Sequence, residues 1–120
     1  MNVRPMFALL PLLIIACAPR SPEVCDSDLA DMRAVINDAV DAAAYCTEDR
    51  DCAIVDVSNA CESRCPTTVN VDEALTLLSK VHDAELSYCL NYGQDCGFIS
   101  VSCMEAIPSC VSNRCEMVSP

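Results

Sequence analysis

Eleven cysteines in 120 residues are the groups here with the most chemistry to offer. A thiol can serve as a redox or nucleophilic centre, as a metal ligand, or as half of a disulfide, and spacing separates the three. Redox pairs use C-x-x-C, a spacing that lowers the first thiol's pKa. The chain has none: the nearest stretch, Cys61-Glu62-Ser63-Arg64-Cys65, is one residue too long and carries an acid that disfavours thiolate. Structural zinc takes cysteine or histidine pairs two to four apart, in two sets. Cys61 and Cys65 could form one set, but Cys110 and Cys115 are spaced too widely for the other. The single histidine, His82, has no partner for either a metal cluster or a triad. With Cys17 set aside, ten cysteines remain: Cys25, Cys46, Cys52, Cys61, Cys65, Cys89, Cys96, Cys103, Cys110 and Cys115. An even number in a small chain predicts a disulfide framework, here of up to five bridges.

Other chemistry fares less well. Glu48, Asp49, Asp51 and Asp56 could offer oxygens to calcium. No glycine provides the sharp turn of an EF-type loop there, and the D-x-D-x-D-G order is missing. No serine lies in G-x-S-x-G, and no catalytic carboxylate pair can be singled out among 18 scattered acids. The sequence therefore predicts no enzyme, no cofactor and no resident metal.

Cys17 stands apart because of what precedes it. Arg4 is followed by an apolar run from Met6 to Ala16, too short to span a bilayer, which takes about 20 residues. A positive start, a short apolar stretch and a small residue at the end are the parts of an export signal. Ile14-Ile15-Ala16-Cys17 resembles the lipobox of bacterial lipoproteins: an aliphatic residue, a variable one, a small one, then the cysteine that is acylated. The resemblance implies cleavage before Cys17, a lipid on that cysteine and a place in the cell envelope. Ala18, where aspartate would favour inner-membrane retention, implies sorting to the outer membrane in a two-membraned host. The expected organisation is a signal peptide at 1–16, a tether at 17–24 rich in Pro19 and Pro22, and a cysteine-rich domain at 25–120.

Charge bounds the partners. Loss of residues 1–16 removes one cation, Arg4, and leaves six basic residues against 18 acidic ones. Such a field repels nucleic acid and anionic head groups, so the expected membrane contact runs through the lipid on Cys17, with no nucleic-acid partner. Among the aromatics, only Tyr45, Tyr88, Tyr92 and Phe98 fall in the domain, and there is no Trp. A domain of about 100 residues has a thin margin from its core alone, and each bridge contributes on the order of 2–4 kcal/mol.

Few elements are available to position the cysteines. Leu29, Met32, Ile36, Val40 and Ala43 recur every three or four residues and predict a helix from Asp26, capped by Ser27. Asp31, Asp38 and Asp41 fall on its other face, and Cys46 continues the buried stripe. The polar loop from Cys46 to Cys52 is closed by cysteine at both ends, and Ala53–Ser58 alternates as a strand should. After a loop at 59–68, Asn70 and Glu73 form the ends of a capping box. The helix it opens buries Ala74, Leu77, Leu78, Val81, Ala84 and Tyr88, with Cys89 near its end. Gly93 and Gly97 interrupt the chain, Phe98–Cys103 reads as a further strand, and Ser109–Val118 as two short strands around Ser112-Asn113. Cys89, Cys96, Cys103 and Cys110 are seven apart, but Gly93, Gly97 and Pro108 preclude a continuous heptad helix. The expected fold is α+β: two helices packed on a short antiparallel sheet, stapled by disulfides.

Pairing is open, since ten cysteines allow about 945 connectivities. One bridge can be predicted locally. If Ser112-Asn113 is a two-residue hairpin loop, Cys110 lies opposite Cys115 as a close, non-hydrogen-bonded pair, and a Cys110–Cys115 bridge is expected. Separately, Cys46-Thr47-Glu48-Asp49-Arg50-Asp51-Cys52 resembles the C-x-x-D-x-D-C opening of small secreted disulfide modules of the whey-acidic-protein type. Their adjacent Cys-Cys pair does not follow here, so the resemblance implies an exported, stapled module rather than protease inhibition. Taken together, the chain reads as a lipid-anchored structural or binding module. An inhibitor presenting the 59–68 loop, or an enzyme of unrecognised type, is the alternative.

Overall fold

The computed structural model describes residues 21–90, 92 and 96–120. Cys17, the lipobox-like stretch at 14–17 and Gly93 lie outside that set. The first helix, α1 (Pro22–Ala43), begins about one turn before the predicted Asp26. Ser21 is extended and its Oγ accepts the Val24 N–H at 3.3 Å, while Pro22 occupies the first turn, where its missing N–H costs nothing. Residues 22–24, read from the sequence as tether, are helical. The inward stripe is Cys25, Leu29, Met32, Ile36, Ala39 and Ala43, with Val40 partly buried beside it. Asp31, Asp38 and Asp41 face outward as predicted.

After a short helical turn at Asp49–Asp51, β1 (Cys52–Val55) pairs antiparallel with β2 (Thr67–Asn70), Cys52 opposite Asn70 and Val55 opposite Thr67. β1 stops three residues before the predicted end because the Asp56 carboxylate accepts the Ser58 N–H and turns the chain. The expected alternation holds: Val55 and Val57 are buried, Ile54 and Asp56 exposed. Thr67 and Thr68, expected in the loop, belong to β2. Asn70 accepts the Asp72 N–H and caps a helical turn at Val71–Glu73, which runs into α2 (Ala74–Tyr88). Glu73 does not complete a capping box; its carboxylate accepts the Tyr45 hydroxyl at 3.1 Å instead. Leu77, Val81 and Ala84 bury α2 against α1, whereas Leu78, expected inside, is exposed.

The predicted strand at Phe98–Cys103 is reduced to a single parallel bridge between Glu62 and Ile99. Gly97 enters it at φ 77°, a left-handed conformation that favours glycine. Ile99 and Val101 alternate correctly but are exposed, so the alternation has no surface to bury. The last elements match expectation closely. β3 (Ile107–Val111) and β4 (Arg114–Val118) form an antiparallel hairpin through Ser112-Asn113, both at positive φ (51° and 62°). Such a turn twists with its strands. The expected sheet is thus two separate two-stranded ribbons, β1–β2 and β3–β4, lying against each other.

Two cores follow. The larger joins α1 and α2 through Met32, Ile36, Leu77 and Val81 to Val55, Val57, Val69 and Tyr92. Met32, fully buried, contributes about 1.5–3 kcal/mol by the area it removes from water. The smaller core consists of Ala44, Cys46, Cys52 and Cys115, with Cys110 packed against it. Among the described residues, no helix is long and apolar enough to cross a membrane.

Candidate functional site

All ten domain cysteines are joined, in five bridges: Cys25–Cys96, Cys46–Cys110, Cys52–Cys115, Cys61–Cys89 and Cys65–Cys103. The first ties the opening turn of α1 to the chain beyond α2. Cys61–Cys89 fastens the 59–66 segment to the end of α2, its sulfur lying against that of Met32. The predicted Cys110–Cys115 bridge is absent, although the register that motivated it is correct: the two residues are opposite each other. Their sulfurs turn to a third segment. Tyr45 bridges Arg114, the Cys46 N–H donates to the Asn113 carbonyl at 3.0 Å, and the Cys115 N–H donates to Ala44 at 2.6 Å. This edge pairing carries Cys46 to Cys110, and the start of β1 carries Cys52 to Cys115. The Cα separations, 5.9 and 5.6 Å, are those disulfides favour, whereas a close hairpin pair sits nearer ~4.5 Å.

The sulfurs of Cys46, Cys52 and Cys115 lie within 4.8 Å of one another, a spacing that would suit a metal ion. Each is spent in a disulfide, and a bridged sulfur offers no thiolate to a metal.

The acids weighed for calcium are committed elsewhere. Asp51 accepts the Thr47 N–H, the Thr47 hydroxyl and the Glu48 N–H, and those bonds hold its pKa below the ordinary carboxylate range. Asp49 accepts the Cys110 N–H at 2.7 Å, tying the loop to the hairpin. Glu48 pairs with Arg50, and Asp56 is lowered by its bonds to Ser58. These carboxylates shape the 46–52 loop and its exit; they do not converge on one point. His82 is exposed on α2.

The feature sequence reasoning missed is Glu62, which is only 3% exposed. Arg33 reaches across from α1 to both of its oxygens, with Nε at 3.1 Å from each, and Arg64 Nε stands at 4.0 Å. Its hydrogen bonds to that carboxylate raise the Arg33 pKa above its ordinary value. Asn59 accepts the N–H groups of Cys61 and Glu62 and so caps the loop beneath. The available signal was Arg33, a lone cation beside the buried stripe of α1. Each described arginine is in an ion pair within the chain: Arg33 and Arg64 with Glu62, Arg50 with Glu48, Arg114 with Asp41. The outward surface is left predominantly acidic.

The 59–68 segment is held down. Cys61 and Glu62 are buried, Asn59 and Ser58 satisfy its backbone, and none of its residues has positive φ. Among the described residues the surface carries at least three open grooves. The one between the helices, about 530 Å³, is floored by Ala39, Ala84 and Tyr88 and rimmed by Asp38, Lys80 and Asp83. A second, of about 540 Å³, opens between Tyr45, Asp51 and Asn113. The third, about 440 Å³, lies between Ile54, Pro66, Met104 and Met117 and includes Cys65 and Cys103. No protein-family model, curated protein or solved structure matches the chain.

Proposed function

We propose that this protein is a lipid-anchored, extracytoplasmic binding or structural module, its surface held in one shape by disulfides for a partner outside the cell or within the envelope. The observation that carries this reading is the pairing. The ten cysteines from Cys25 to Cys115 close on one another and leave none for Cys17, the residue at the lipobox position. Five bridges also fit an oxidising compartment.

Anchorage would be close. Because α1 starts at Pro22, only Ala18 to Ser21 separate the lipidated cysteine from the folded domain. At about 3.5 Å per residue that is at most roughly 14 Å, so the domain would ride on the membrane surface rather than at the end of a long arm. The packed 59–68 segment gives no support to an inhibitory loop, and the grooves are open rather than lined by convergent catalytic groups.

The test is Cys17→Ser in the native host, with labelled fatty acid. Loss of label and release from the membrane fraction are expected. Label that persists on Cys17→Ser would refute the anchor.

A further inference from the structure

The five bridges differ in how solvent reaches them. Cys52–Cys115 and Cys61–Cys89 are buried at both ends; Cys25–Cys96 and Cys46–Cys110 each have one buried cysteine. Cys65–Cys103 alone has both cysteines exposed, and it lies in an open groove between Ile54, Pro66, Met104 and Met117. It is also the last tether of a sparsely held segment. Ile99 exchanges backbone hydrogen bonds with Cys61 and Ser63, and the Val101 N–H donates to the Ser63 hydroxyl. Beyond Val101, no backbone–backbone hydrogen bond outside the hairpin ladder engages the chain up to Ala106 among the described residues. Met104, at 91% exposed, shows how little covers that stretch.

We infer that Cys65–Cys103 is a thiol-exchange site: an external dithiol opens it ahead of the other four bridges and thereby frees residues 102–106 while the helical core stays closed. Exchange needs a thiolate to approach a disulfide sulfur in line with the S–S bond, so access governs rate where leaving groups are similar. The Ser102 carbonyl oxygen faces Cys65 Sγ at 3.8 Å, a contact and not a hydrogen bond, since a bridged sulfur has no proton. Its lone pairs repel an incoming anion there and leave Cys103 Sγ the preferred target.

The reductant's thiolate bonds to Cys103 Sγ, and the pair of electrons from the S–S bond leaves on Cys65 Sγ, which takes a proton from water. The reductant's second thiolate then attacks its own sulfur in the mixed disulfide and expels Cys103 as a thiolate. The dithiol is oxidised by two electrons and the bridge is reduced to two thiols. The groove walls are apolar except for Glu105, so they suit a partner that presents its dithiol from a largely apolar surface without added negative charge. None of this depends on the lipid anchor.

Dithiothreitol is the probe. The folded wild-type protein is exposed to it without denaturant, quenched at intervals with iodoacetamide and mapped by mass spectrometry. Cys65 and Cys103 should be alkylated together, ~10-fold or more ahead of any other pair, because access controls attack. Another bridge opening first, or all five opening together, overturns the assignment. The species alkylated only at Cys65 and Cys103 is then digested briefly. Cleavage within 102–106 should rise several-fold with far-UV circular dichroism unchanged; unaltered cleavage refutes the release.

Discussion

Cys46–Cys110 and Cys52–Cys115 join the same two segments, so their contributions to stability should be coupled by an amount that follows from chain connectivity. With Cys46–Cys110 intact, the path between Cys52 and Cys115 runs back to Cys46, across the bridge, and on from Cys110, a loop of roughly 11 residues. Chain entropy then assigns the second bridge about 2.8 kcal/mol. With neither in place, the shortest remaining path passes through Cys65–Cys103 and spans roughly 26 residues, so the first bridge to form contributes about 3.5 kcal/mol. Sequence separations of 64 and 63 would, in isolation, have suggested about 4.3 kcal/mol apiece. Removing either bridge should therefore cost about 2.8 kcal/mol and removing both about 6.3, a coupling of about 0.7. The assay is urea unfolding, followed by far-UV circular dichroism without reductant. The proteins compared are wild type, Cys46→Ala/Cys110→Ala, Cys52→Ala/Cys115→Ala and the fourfold variant. Alanine is used because Cys46, Cys52 and Cys115 are buried and serine would add an unpaired hydroxyl. Losses that add within about 0.3 kcal/mol, or a single bridge costing 4 kcal/mol or more, would refute the shared-loop reasoning.

Three further outcomes are expected. Glu62→Gln removes the ionic acceptor of Arg33 and Arg64 and should cost about 1.5–3 kcal/mol in the same unfolding assay; a change below about 0.5 would mean the buried carboxylate contributes nothing. Asp51 is held below its ordinary pKa by bonds to Thr47 and Glu48, so its contribution is present above the unfolded value, ~3.9, and is lost as pH falls through its lower folded value. Asp51→Asn should flatten the acid limb of Tm against pH, and superimposable limbs would contradict that role. Ser112, at φ 51°, pays for a conformation asparagine adopts more readily, so Ser112→Asn should raise stability by about 0.5 kcal/mol, whereas a fall would contradict the turn geometry.

The helices were legible because their signal is local and repeated. Leu29, Met32 and Ile36, or Leu77, Val81 and Ala84, name a face wherever the helix docks. The start of α1 was not, since Pro22 after Ser21 serves a tether and a first helical turn equally well. The hairpin register was readable from Ser112-Asn113, but its disulfides were not. Which sulfur Cys110 meets depends on Cys46 arriving beside β4, a contact between residues 64 apart. Val101 shows the converse failure: alternation predicts a strand only where a partner exists, and the neighbouring segment is pinned by Asn59 and buried Glu62 in a shape that offers one bridge. Glu62 itself was invisible because a carboxylate in a cysteine loop reads as solvated until Arg33 is seen to cross from another element. The proposed anchor rests on a lipobox resemblance that is wholly a matter of sequence, and the short tether proposed for it follows from the start of α1 at Pro22.

Intact-mass spectrometry of the protein purified from its native membrane, without reductant, bears most directly on an anchored, fully stapled module. The mass should correspond to a chain that begins at Cys17, carries fatty acyl groups on that residue and lacks the ten hydrogens lost in forming five disulfides. A chain that retains residues 1–16, or an unmodified Cys17, or two or more free thiols among the domain cysteines, would contradict it.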